Sequence, residues 1–438
     1  MQKISVANAA AVGLGAIIGA GIFVLSGTAI ALAGPYSLLA FILVGAIALI
    51  MALVIGELSA LMPNAKGATY SFAYNAFGSE IGFITGIAVY LSFSTAISAI
   101  SLGFGTYLAS LLNMSTAAFA IPFAILLVVA VAILNIAGIT KAAKTDFWLV
   151  IIKLSVLFIF AAFALLFSFK SGFANTISNF STEGFTITSM FAASVAIFFA
   201  YSGFQTISTF TSKIKNKGKG AAKAIVTAVL VSIIVYVLID FSLMILAPAS
   251  AYRIAADPLA FALRYAKAPG VLVLLVDIGA LVATTSATLA MMLSSSRMLY
   301  QLGKDGLLPK AIRKYNAERD VATNGVVISA IIGIIMLFSG NIYIIAAISN
   351  FGLILSYIIS CLAQIHFRRI MPKSKFTVTM PLYPYLTVIA IVALLALLIG
   401  MPREALVIGD ILVLVLLLTY YFFRELKGKK PVKIRLFG

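Results

Sequence analysis

Apolar residues in this chain come in long uninterrupted runs separated by short polar joints. They neither alternate with polar residues nor keep to one helical face. Twelve runs span about 8–32, 37–61, 80–110, 117–139, 145–168, 187–211, 221–247, 270–301, 323–340, 342–367, 381–400 and 403–424. A helix needs roughly 18 or more such residues to cross the hydrocarbon of a bilayer. The two-residue period of a membrane barrel strand is absent. The pattern predicts an all-α polytopic membrane protein with twelve transmembrane helices. The narrowest division falls within 323–367, where Ser339-Gly340-Asn341 is the only interruption. The first run follows Lys3 and ends at Ala31-Leu32-Ala33, much as a signal peptide would. It exceeds the roughly 7–15 apolar residues of a signal core, so it reads as the first transmembrane helix.

Charge adds an orientation. The chain carries 31 Lys and Arg against 13 Asp and Glu, a net +18. With the N-terminus in the cytoplasm, 25 of the basic residues fall on the cytoplasmic side. They include Lys3, Lys66, Lys141 and Lys144, the cluster Lys213, Lys215, Lys217, Lys219 and Lys223, and the C-terminal tail. Only Lys170, Arg253, Arg264, Lys267 and Arg403 fall on the other side. That bias places both termini in the cytoplasm of a multi-pass protein of the plasma membrane. Anionic lipid accounts for the basic balance, and a nucleic-acid partner is not needed. One cysteine, Cys361, and one histidine, His366, leave no disulfide, no catalytic dyad and no metal cluster. His366, beside Arg368 and Arg369, reads as an interfacial side chain. No phosphate-binding loop is present, which counts against transport driven by ATP. No cofactor is expected.

The first run contains GAIIGAGIF, with three glycines in nine positions. Small residues can let two helices pack closely, and Gly15-xxx-Gly19 fits that reading. They can instead mark an unwound stretch whose free backbone groups face a cavity. The sixth run, IFFAYSGFQTISTF, carries Ser202-Gly203 in mid-span. Interruptions five helices apart are what two five-helix repeats of inverted topology produce. The boundaries then fall at 1–168 and 187–367 for the repeats, 381–424 for two further helices, and 425–438 for a basic tail. Half-helix ends of both signs in one pocket suit a ligand bearing both a carboxylate and an ammonium, an amino acid.

Several stretches resemble the amino acid–polyamine–organocation (APC) superfamily of transporters, in particular its proton-coupled amino acid permeases. They are GAIIGAGIF, FFAYSGFQ, IKN after the sixth helix, GELSALMPNAKGATYSFAYNAFG, and SSSRMLYQLGKDGLLP. The resemblance covers about 5–370 and implies the LeuT-type fold with helices 1 and 6 broken. It implies that backbone N–H groups of Ala20 and Gly21, reached past Gly19, meet the substrate carboxylate. Carbonyls of Ile17, Phe199 and Ser202 would meet the ammonium, with Ala200 and Gly203 completing the second break. Phe199 also matches an aromatic that covers the substrate. Two departures stand out: Gln205 where many members carry glutamate, and Ser212-Lys213 in place of an acidic pair.

Lys153 lies inside the fifth run, about 10 Å beyond Asp146 at 1.5 Å per residue. An ionisable group at that depth is a functional candidate, with snorkelling as the plain alternative. The resemblance implies that its ammonium couples proton binding to transport through the Gly15 carbonyl and hydroxyls of the eighth helix, with Thr285 and Ser286 the candidates. The expected function is secondary transport of amino acids by alternating access with proton symport. The alternatives are amine or polyamine transport, or amino acid/amine exchange. The small acidic inventory and Gln205 argue against cationic substrates. A channel or nutrient receptor on the same fold also remains open to the sequence.

Overall fold

The computed structural model describes residues 3–65, 67–138, 143–172 and 176–426. Lys66, Lys141 and residues 427–438 of the basic tail lie outside them. Fifteen α-helices occur among the described residues, and extended pairing there is limited to two isolated bridges.

The first run is split into α1 (Val6–Ile17) and α2 (Ser26–Ala33), joined by a π-helical turn at Gly21–Leu25. Ser5 starts α1 by accepting the Asn8 N–H at 3.1 Å, which satisfies one orphan donor of the first turn. Then follow α3 (Tyr36–Leu61), the short α4 (Thr69–Phe77), α5 (Ser79–Leu111), α6 (Thr116–Ala137) and α7 (Ala143–Ser171). The sixth run is split too, into α8 (Ser189–Ala200) and a 3-10 stretch at Phe204–Lys213. The remainder is α9 (Lys217–Leu246), the short α10 (Pro258–Tyr265), α11 (Gly270–Lys304), α12 (Thr323–Leu337), α13 (Ile342–Ile370), α14 (Tyr385–Ile399) and α15 (Arg403–Leu426). Among the described residues nine helices are long and apolar enough to span a bilayer, and the bent α1–α2 pair adds a tenth. The two shorter apolar helices α12 and α14 occupy the remaining two predicted segments. The narrow division at 339–341 is a true turn. Gly340 takes φ +69°, and Asn341 caps α13 by accepting from the N–H groups of Tyr343 and Ile344.

Hydropathy did not announce α4 and α10, because neither is long enough to cross. Each instead fills a joint. Tyr70 of α4 donates to Asp305 Oδ2 at 2.7 Å, so two motifs distant in sequence, GATY and KDGLLP, meet at one end of the molecule.

The centre is α5, whose most apolar window is 94% buried, whereas that of α15 is only 22% buried. α5 packs against α6, α11 and α13. Large apolar side chains such as Ile133, Leu166 and Phe169 point outward, as lipid-facing positions should. α3 and α9 lie against each other through small residues. A Cβ on Gly56 would sit 3.2 Å from Ala222 Cβ, and one on Gly218 would sit 2.4 Å from Ala60 Cα. Backbones brought that close gain packing where hydrophobic driving force is weak. His366 is not open to headgroups: it is buried, with its ring 5.5 Å from that of Phe77. α4 covers the end of α13 and closes the site that its neighbours would have left to headgroups.

Glu57 near the end of α3 is fully buried, and Arg368 of α13 grips both its oxygens at 2.7 and 2.6 Å. The Met380 N–H adds a third bond at 2.7 Å. The guanidinium also lies over the Tyr383 ring, 4.4 Å from its centroid. Removing one partner would strand a buried charge, which typically costs about 3–5 kcal/mol. Arg368→Met is therefore expected to lower the thermal unfolding temperature of the detergent-solubilised protein well beyond Arg369→Met, whose side chain is exposed. Equal unfolding temperatures for the two variants would show that the pair is not a structural tie.

Candidate functional site

Both interruptions are backbone features, built by glycine. After Ile17 the chain leaves the helix at Ile18 (φ −78°, ψ 93°), and the two halves differ in direction by 40°. α8 ends at Ala200, and Gly203 takes φ +118° before the 3-10 stretch, a conformation that side chains rarely adopt. The two breaks touch each other directly. A Cβ on Gly21 would lie 2.3 Å from Ala200 Cα, and one on Gly203 would lie 2.9 Å from the Ala16 carbonyl carbon. A Cβ on Gly19 would meet Ala287 Cβ of α11 at 2.7 Å. Thus the glycines serve close approach and unwinding together, and the two sequence readings of GAIIGAGIF are one feature.

Every α-helix that stops leaves carbonyls without intrahelical partners. Here side chains from other helices take several of them. Lys153 of α7, fully buried, donates from Nζ to Gly15 O at 2.9 Å and to Ile18 O at 2.8 Å. An ammonium at the C-terminal end of α1 also opposes the negative end of its dipole. Tyr236 of α9 places its hydroxyl 2.9 Å from Ile17 O and 3.0 Å from Ala200 O, so one group spans both breaks. Tyr107 of α5 donates to Phe23 O at 2.7 Å inside the π turn. In the other break Gln205 folds back. Its Oε1 accepts the Gly203 N–H at 3.0 Å and the Tyr357 hydroxyl at 2.9 Å. A carboxylate could accept both as well, so the amide keeps the geometry without the charge.

The positive end of a half-helix is also present. Ala20 precedes the π turn with no side-chain oxygen to cap it. Its N–H and that of Gly21 therefore stand at a bare helix N-terminus, where anions are favoured.

The sequence-predicted residues therefore come together, with detail that the sequence withheld. Ile17, Gly19, Ala20, Gly21, Phe199, Ala200 and Gly203 are all buried at the contact of the two breaks, and Ser202 is half-buried there. The carbonyl of Ile17 is engaged by Tyr236, and that of Phe199 accepts the Ser202 N–H at 3.0 Å. The Phe199 carbonyl also lies against the Tyr201 N–H, whereas that of Ile17 keeps a second lone pair. Lys153 reaches Gly15 as expected and Ile18 in addition. On α11 the Thr285 hydroxyl donates to Leu281 O at 2.7 Å in its own helix. Ser286 is buried beside Ala287, which backs Gly19. Tyr236 and Tyr107 were not anticipated. The only signal was a phenol in mid-run, as in SIIVYVLID, because a tyrosine buried in hydrocarbon needs a partner for its O–H.

The family model for Amino acid permease matches residues 9–426. The branched-chain amino acid permease BcaP of Lactococcus lactis is 27% identical over 98% of this chain and 96% of its own. BcaP of Bacillus subtilis is 26% identical over 95% and 92%. The methylthioribose transporter of Bacillus subtilis is 25% identical over 86% and 84%. Among solved structures, a mutant of the Eremococcus coleocola manganese transporter superposes with a TM-score of 0.60 at 12% identity. It covers 95% of this chain and 92% of that one, a likeness of fold alone. The fold is the LeuT-type arrangement with broken first and sixth spans, and the chain belongs to the amino acid permease family.

Proposed function

We propose that this protein carries an amino acid across the cytoplasmic membrane by alternating access, coupled to proton symport, with both termini in the cytoplasm. Residues 1–168 and 187–367 act as the two inverted repeats, 381–424 as two helices outside them, and 425–438 as a basic tail. The observation that carries the reading is the Lys153 ammonium held by the Gly15 and Ile18 carbonyls at the first break. A positive charge at that place ties α7 to α1. Loss of its proton would remove the attraction and free α1 to tilt, with Thr285 and Ser286 of α11 on the neighbouring surface.

The substrate carboxylate is assigned to the N–H groups of Ala20 and Gly21. The substrate ammonium is assigned to the carbonyls of Ile17, Phe199 and Ser202. Gly19, Ala200 and Gly203 give the main chain its access. Phe199 and Phe204, both buried, flank the second break with apolar side chains. Gln205, rather than a carboxylate, holds the second break. Both facts favour a neutral, apolar side chain, and branched-chain amino acids are the first to test given the BcaP relatives. Amine or polyamine transport and amino acid/amine exchange are the second reading. They need a negative group at the breaks, which Gln205 does not supply.

In proteoliposomes, an inward acid gradient is expected to drive uptake without sodium. Among the twenty amino acids, leucine, isoleucine and valine should compete best, with methylthioribose and putrescine as further competitors. Stronger competition by putrescine would favour the second reading. Preloaded vesicles should accumulate labelled substrate by counterflow, and binding without exchange would instead indicate a receptor. Lys153→Ala should abolish uptake or its dependence on pH, and acid-stimulated uptake at wild-type magnitude would refute the coupling role. Tyr236→Phe should fold, with unfolding free energy lower by about 1–2 kcal/mol for the lost hydroxyl, and should weaken substrate binding measured by competition. Unchanged affinity and stability would show that the bridge between the breaks is dispensable.

A further inference from the structure

Two buried carboxyls on membrane-spanning helices, Asp240 of α9 and Asp277 of α11, take no part in the arrangement above. Asp240 lies on α9, six residues before its C-terminal end, roughly 9 Å inside by helical rise. Its side chain is fully buried. Oδ2 lies 2.9 Å from Ser37 Oγ at the start of α3. Oδ1 has no hydrogen-bond partner among the described residues.

The surroundings offer no counter-charge. Tyr201 and Tyr252 are the titratable groups nearest the carboxyl, and each hydroxyl proton is already used. Tyr201 donates to Phe41 O at 3.1 Å, and Tyr252 donates to Leu243 O at 2.6 Å. On α7, Lys153 is held by the carbonyls of the first break. On α10, Arg264 is paired with Asp257 at 2.5 Å. Arg253 of the 249–254 turn is exposed, as is Glu183 in the segment before α8. On α3, Glu57 is at the opposite end of the helix in the grip of Arg368. On the 3-10 stretch after α8, Lys213 is likewise exposed at the far end.

We propose that Asp240, paired with Ser37 at the seam between α3 and α9, is a second proton-binding site of this protein. An isolated carboxylate in a fully buried site bears a desolvation cost far above that of the neutral acid. With the Ser37 hydroxyl donating to Oδ2, a proton on Oδ1 makes the group a neutral carboxyl in place of a buried charge. Giving up that proton demands either water or a second donor at Oδ1. Ser37, Asp240 and Tyr201 are buried away from bulk water and no second donor reaches Oδ1 among the described residues, so release requires the seam to part.

Position gives the proton a consequence. Tyr236 is one helical turn away on the same face of α9, and its hydroxyl spans both breaks. Its ring lies 5.1 Å from Tyr201 and 6.1 Å from Phe41, which is one turn beyond Ser37 on α3. Parting the seam at Asp240 therefore moves the residue that ties the breaks together. Lys153 and Asp240 approach the paired breaks from different helices, so this site is separate from the coupling assigned to Lys153. The inference leans on the transport reading only for this consequence. The proton itself is measured without transport.

Infrared spectra of the purified protein in lipid nanodiscs, recorded across pH, provide the test. A protonated-carboxyl C=O band is expected at neutral pH and lost at alkaline pH, with one component removed by Asp240→Asn and kept in Asp277→Asn, the variant at the other buried carboxyl. Superimposable spectra for wild type and Asp240→Asn would overturn the assignment. Should Asp240→Asn fail to fold, Ser37→Ala decides: it keeps the acid but removes its partner, and should displace the titration midpoint by about one pH unit. An unmoved midpoint would overturn the pairing. In proteoliposomes, Asp240→Asn should keep counterflow while its uptake loses the alkaline decline seen in wild type. A profile identical to wild type would show that the proton has no role in the cycle, even if the band is present.

Discussion

Inside hydrocarbon a peptide group cannot be left without a partner, because each unpaired one costs several kcal/mol. This chain interrupts two helices where that constraint is most severe, and much of its interior is arranged around the result. The carbonyls of Gly15 and Ile18 are taken by Lys153. Those of Ile17 and Ala200 share the single hydroxyl proton of Tyr236, and that of Phe23 is taken by Tyr107. The Gly203 N–H is taken by Gln205. Four helices thus send one side chain each, or send it through a neighbour, to repair two breaks.

The repair makes the breaks a single unit. Gly21 touches Ala200 and Gly203 touches Ala16, both at distances that admit no side chain. One phenol bonds to both sides. A displacement of either half-helix must therefore alter the partners of the other, which on the proposed reading is the element that alternating access moves. The N–H groups of Ala20 and Gly21 are the part of this unit left to a helix terminus rather than to a side chain. On the proposed reading, that is where the substrate carboxylate completes the set.

Away from the breaks, polar ties join helix ends. Ile4 pairs with the strand-like turn at Lys213–Lys215 through two backbone bonds of 2.9 and 2.8 Å, which links the start of α1 to the end of the second broken span. Glu57–Arg368 joins α3 to α13, and Tyr70–Asp305 joins α4 to the end of α11. These contacts give physical roles to GELSA and KDGLLP. Both motifs were recognisable in the sequence, but neither named its partner there.

Much of the architecture was legible because it depends on local composition. Run length set the spans, small residues marked both interruptions, and Ser339-Gly340-Asn341 fixed the turn between α12 and α13. Lys153 and Gly15 were paired through resemblance, whereas Ile18 entered only with the coordinates, since its carbonyl became available through the angle at which α1 ends. His366 was expected at the interface and proved buried, because the helix that covers it, α4, is too short to register as an apolar run. Tyr236 is the clearest case. It bonds to carbonyls 219 and 36 positions away, and no periodicity carries that information. The sequence by itself determined where helices form and where they fail, since both follow from the side chains at each position. Only the tertiary structure decided which group satisfies each freed peptide, because that depends on which distant helix the packing brings within hydrogen-bond reach.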